Sequence, residues 1–174
     1  MERWWFKKLN GRESHGDTAT SLDCCTLRGK VVEGWVAVCN MVNTFITYWD
    51  VDEIAKSLDY RRLGKQRVEA YQIWRANQGI TKGWKNHPAA RMWQGYSCAL
   101  ATYTNGMIRE WIRRGYRNNM KFLPRCRNPQ FPPWWGHEPV RLSHRASLNR
   151  KMPDFYAFDD VGEYANEGYV WPVS

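Results

Sequence analysis

Between Arg61 and Ala70 the chain places a single carboxylate, Glu69, among four cations, Arg61, Arg62, Lys65 and Arg67. Lys65 and Glu69 are four residues apart and share one face of a helix, with Arg62 and Gln66 on its flank. Such a face attracts phosphates, and a carboxylate within it weakens that attraction unless it has a task of its own, such as proton transfer. The ordinary reading is an i,i+4 ion pair on a solvated helix, worth about 0.3–0.5 kcal/mol. Taken alone, the run favours that ordinary reading.

Other segments carry further candidates. In Asn86-His87-Pro88 either Asn86 or His87 caps a helix with Pro88 at its first position, or His87 faces a sugar-phosphate, with Arg91 close behind. Arg141, His144, Arg145, Arg150 and Lys151 crowd one short stretch and read as a phosphate-contacting helix. Arg109, Arg113 and Arg114 precede Gly115 and suit the C-terminal end of a helix dipole. Trp134, Trp135, Tyr169 and Trp171 lie in irregular stretches, where aromatics stack on extruded bases or staple loops to a core; Trp171 reads as a staple. His87, His137 and His144 have no metal-ligand spacing, so neither a metal nor a cofactor is expected. The cysteines at 24, 25, 39, 98 and 126 form no Cys-x-x-Cys pair, and their odd number argues for reduced thiols and a cytoplasmic protein.

The elements that must position these residues read as helices. A short one over about 51–58 follows an Asp50 cap and carries Val51, Ile54 and Leu58 on one face. A second runs from about Tyr60 to Asn77 and closes at Gly79, with Gly64 inside it marking close approach of a backbone or ligand. A third, the longest, spans about Pro88 to Arg114 with a buried stripe from Met92 to Trp111. Proline-rich residues 116–139 read as loop, Val140–Lys151 as a fourth helix, and the remainder as an irregular aromatic tail. The expectation is all-α: one compact domain of about three to four helices with long irregular connections. Residues 1–40 differ in character, although Lys30–Val38 passes for a strand.

Charge points to a partner. The 174 residues carry a net +9, unevenly spread: 20 Lys/Arg against 7 Asp/Glu over residues 41–153, and no Lys/Arg against 5 Asp/Glu over 154–174. A basic body with interleaved aromatics is the footprint of a nucleic-acid binder. No run is apolar and long enough to span a membrane.

Read in order, Met41-Val-Asn-Thr-Phe, Arg62-Leu-Gly-Lys-Gln-Arg-Val-Glu69, Asn86-His-Pro, Glu110-Trp-Ile-Arg-Arg-Gly-Tyr, Pro132-Pro-Trp-Trp-Gly, Ser143-His-Arg-Ala-Ser-Leu and Tyr169-Val-Trp-Pro resemble the pyrimidine-dimer DNA glycosylase family. Its best-known member is the phage endonuclease V, and the resemblance is closer to bacterial relatives. It spans residues 41–173 and divides the chain into an N-terminal extension, 1–40, and a glycosylase domain, 41–174. The resemblance implies a DNA glycosylase with abasic-site lyase activity on damaged or modified pyrimidines in duplex DNA, acting as a monomer. It also implies an α-amine that attacks C1′ and forms an imine, with Glu69 stabilising the cationic sugar and moving protons. An α-amino group, with a pKa of ~7.7–8.0, is available where an ordinary lysine at ~10.4 is not. The implied nucleophile is Val42 once Met41 is trimmed, or Met41 itself if retained, so a start near Met41 is preferred over an added leader; Lys65 is the reserve. Arg62 stands where the phage enzyme has a substrate-contacting histidine, and Val68 where it has an arginine, which leaves Arg61, Arg62, Lys65 and Arg67 to meet phosphates. Two alternatives remain: a glycosylase for a hypermodified base without dimer activity, and a non-catalytic basic DNA-binding protein.

Overall fold

In the computed structural model, residues 42–172 are described; the expectations for residues 1–40 and for Met41 lie outside the described residues. Helix α1, Val51–Ser57, starts where the Asp50 carboxylate accepts from the Asp52 and Glu53 amides at 2.9 and 3.0 Å. Helix α2, Tyr60–Asn77, starts the same way, with Asp59 accepting from Arg61 and Arg62. These caps satisfy amides that the first helical turn cannot pair, which is why both starts are sharp. A turn of helix, α3, Pro88–Arg91, is capped by His87. Helices α4, Ser97–Arg113, and α5, Glu138–Lys151, follow, and a 3-10 turn, Gly162–Asn166, lies in the tail. The described residues contain no strand, and the fold is all-α as expected.

The long third helix is corrected. It breaks between Arg91 and Ser97, where Gly95 takes φ +85, a conformation in which only glycine avoids a steric penalty. The apolar stripe continues through the break, so periodicity alone could not reveal it. The break turns the Trp93 indole into the core, where its N–H donates to Thr44 Oγ1 at 2.9 Å. Gly64 is explained by a side chain rather than by a backbone or ligand: a Cβ there would lie 2.8 Å from the Trp111 ring of α4.

The thiol expectation is also corrected. Cys98, on α4, is bonded to Cys126 in the following loop, their Cα atoms 5.7 Å apart. Spacing in the sequence could not show that the loop folds back across α4. The pairing removes the argument from free thiols to a reducing compartment. No helix among the described residues is long and apolar enough to cross a membrane.

Around the helices runs one extended segment, residues 42–47, buried throughout. Having no helix of its own, it must find partners for its peptide groups elsewhere. The Phe45 amide donates to Gln66 Oε1 at 3.0 Å and the Ile46 amide to His144 Nδ1 at 2.9 Å. The Asn43 carbonyl accepts from Gln66 Nε2 at 2.9 Å, and the Thr47 carbonyl from Arg145 Nε at 2.7 Å. Tyr103 Oη lies 2.9 Å from the Phe45 carbonyl and 2.8 Å from Gln66 Oε1. Helices α2, α4 and α5 each contribute a clasp to this strand-like thread.

Candidate active site

The thread ends beside Glu69. Gln66 Nε2 bridges the two, donating to the Asn43 carbonyl at 2.9 Å and lying 3.3 Å from Glu69 Oε2. Lys65 Nζ stands 3.3 Å from Glu69 Oε1, so the expected i,i+4 pair exists. It is not the ordinary solvated pair, because Glu69 is only 7% exposed while Lys65 remains exposed. Burial drives the Glu69 carboxyl up to about 7, against the opposing pull of Lys65, the Asn43 amide and the charge of Lys151. A carboxyl poised there exchanges protons at neutral pH in either direction. Val42, one residue before Asn43, is buried.

Lys151 completes the rim. Its ammonium lies 5.2 Å from the Phe45 ring centre and 5.0 Å from that of Tyr169, and it donates to the Tyr169 hydroxyl. Arg61 is exposed with its Nε donating to Tyr60 Oη. Arg91 is exposed on α3. His87 is the α3 cap: its Nδ1 accepts from the Ala89 amide at 3.1 Å, and its ring meets Trp84 and Trp171 edge-on. Burial lowers its pKa. Trp171 therefore staples the tail, as expected.

Several of the expected phosphate ligands have partners within the protein itself. Two positions from Glu69, and so about 200° around the helix, Arg67 lies over the Trp111 ring at 4.3 Å and donates to Asn118. Arg62 pairs with Asp59 at 2.9 Å and lies over Tyr156. On α5, Arg141 and Arg145 both pair with Asp160, and Arg150 donates to the carbonyls of Tyr164, Ala165 and Glu167. The acidic tail thus covers the basic face of α5. His144 has no exposed surface; burial lowers its pKa to about 3, and it clasps the thread instead of a phosphate. Trp134 and Trp135, read as either stacking platforms or loop staples, are bonded inward, Trp134 to the Met92 carbonyl and Trp135 to that of Trp49.

Gln66 was passed over as a flank residue. The available signal was its position: it stands three after Leu63 and four before Ala70, on the buried stripe of α2. A fully buried glutamine requires partners, and here they are the thread and Glu69. Among the described residues no cluster of histidine, cysteine, aspartate or glutamate could hold a metal.

Residues 43–124, which include the thread from Asn43 onward, all of α2 and all of α4, match the family model for pyrimidine dimer DNA glycosylase. Neither a curated protein nor a solved structure matches the chain.

Proposed function

Residues 43–124 belong to the pyrimidine dimer DNA glycosylase family, and on that premise we propose that this protein is a DNA glycosylase with abasic-site lyase activity. Its substrate is a damaged or modified pyrimidine in duplex DNA, which it meets as a monomer. The observation that carries the proposal is the placement of buried Glu69 beside the backbone of Asn43, with Gln66 Nε2 donating to the Asn43 carbonyl at 2.9 Å and lying 3.3 Å from Glu69 Oε2. An amine on residue 42 would sit one residue from a carboxyl that exchanges protons near neutrality.

In the proposed reaction the unprotonated amine of Val42, with Met41 as the substitute if it is retained, attacks C1′. The C1′–N bond breaks, its electron pair leaves with the base, and Glu69 in its acid form supplies the proton. The sugar ring then opens as the nitrogen lone pair forms the imine. The carboxylate form of Glu69 removes a C2′ proton, the C3′–O bond breaks, and water releases the protein from the cleaved strand. Lys65, Arg61, Arg91 and Lys151 are the cations assigned to the phosphates around this site.

Borohydride tests the imine. A chain beginning at Met41, incubated with abasic duplex and borohydride, is expected to crosslink to the DNA, and acetylating its amine to abolish the crosslink. Crosslinking that survives acetylation and is lost in Lys65→Met would transfer the reaction to Lys65.

A further inference from the structure

The arginines and lysines of this fold differ in what they meet. Arg62, Arg109, Arg113, Arg114, Arg141 and Arg145 each meet a carboxylate of the chain itself. Arg117, Lys121, Arg125 and Arg127 are all exposed, and their side chains meet no carboxylate, carbonyl or ring among the described residues. They share residues 116–127, a stretch without a carboxylate; none occurs between Glu110 and Glu138. Unpaired like charges on one segment repel, so the arrangement costs stability unless a polyanion answers it.

The segment has no helix, yet it is held in place. Trp111 Nε1 donates to the Arg117 carbonyl at 3.0 Å, and Arg67 Nη1 to Asn118 Oδ1 at 3.1 Å. Buried Asn105 binds the backbone of Leu123 in both directions, at 2.8 and 3.0 Å, and Cys126 is tied to Cys98. Leu123 faces inward while the four cations face out, with Tyr116 and Phe122 exposed between them. An extended chain advances about 3.3 Å per residue. Arg117, Lys121 and Arg125 therefore stand up to ~13 Å apart, close to the ~12 Å width of a DNA major groove. Because the segment begins against Arg67, it borders the side of α2 that faces away from Glu69.

We propose that residues 116–127 form a second DNA-binding surface, gripping backbone phosphates of the duplex away from the Glu69 site and without regard to sequence or damage. The choice of DNA as the polyanion rests on the glycosylase reading, but the test does not depend on turnover. Each phosphate neutralised contributes about 0.9 to the slope of log affinity against log salt. Four contacts contribute about 3.6, or roughly a hundredfold change in affinity between 50 and 200 mM salt.

The experiment compares the full chain with R117Q/K121Q/R125Q/R127Q on an undamaged duplex across that salt range. The parent is expected to lose about a hundredfold more affinity than the variant, whereas R117K/R125K/R127K should keep the parent's slope. Equal slopes in the parent and the glutamine variant would overturn the proposal. So would an equal loss in the charge-preserving variant, since that would make the effect one of folding. Tighter binding of an RNA duplex of the same length would assign the surface to a different partner. Base release, measured separately on damaged DNA, reports on Glu69 alone, so failure of one reading leaves the other standing.

Discussion

Glu69 is stabilised as an anion by an ammonium and an amide and opposed by its burial, and burial wins. That balance separates it from Glu110, which bonds from Arg113 and Arg114 hold down at about 2 although it too is largely covered. Desolvation dominates at Glu69, whose one paired ammonium remains half in water, whereas at Glu110 two guanidiniums outweigh it. A Glu69→Gln variant keeps the shape of the site and removes both the charge and the proton. It is expected to bind abasic duplex at least as tightly as the parent, because one negative charge leaves a phosphate-facing surface. Base release should fall by a factor of about 10²–10⁴, the usual loss for a general acid–base group. Gel-shift and single-turnover assays on the same preparation read the two effects. Weaker binding with normal turnover would reduce Glu69 to a structural partner of Lys65.

At the scale of elements, the thread at residues 42–47 depends on helices that must be correctly placed around it. The α2 boundaries were legible because the apolar spacing and the closing Gly79 are local signals. The break at Gly95 was not, since the stripe stays in phase across it. The clasps that His144 and Arg145 place on the thread were not legible, because the backbone groups they hold lie 98 residues away. The α2–α4 contact at Gly64 supplies a test. Alanine there should gain roughly 1 kcal/mol of helix propensity, yet its methyl meets a Trp111 ring pinned by Arg117 and Arg67. Overpacking of this kind costs about 1–3 kcal/mol, so Gly64→Ala is expected to lower Tm and alter tryptophan fluorescence. A higher Tm with unchanged fluorescence would mean that Trp111 yields freely.

Across the whole molecule, the site and its support respond to pH in opposite directions. The Glu69 carboxyl is raised from 4.5 to about 7, so the folded state holds its proton more tightly than the unfolded chain. Its contribution to stability is full below pH 4.5 and is lost as pH rises through 7. The His144 imidazole is lowered from 6.5 to about 3, because burial excludes its charged form. The Ile46 amide occupies Nδ1, which leaves the ring proton on a buried Nε2 that has no partner among the described residues. Its contribution is full above pH 6.5 and is lost as pH falls through 3. Between about 4.5 and 6.5 each group changes stability by up to one proton's worth, about 1.4 kcal/mol per pH unit, with opposite sign. The parent protein should therefore show a shallower pH dependence across that window than the variant lacking the Glu69 carboxyl, with His87, also lowered by burial, adding to the His144 arm. Removing one arm exposes the other. In Glu69→Gln, stability should climb steadily from pH 4.5 to 6.5, approaching that one-proton slope as His144 acts unopposed. Urea unfolding at four or five pH values measures this directly. Parallel curves for parent and variant would show that Glu69 does not hold its proton into the neutral range, and its place as acid and base in the reaction would fall with it.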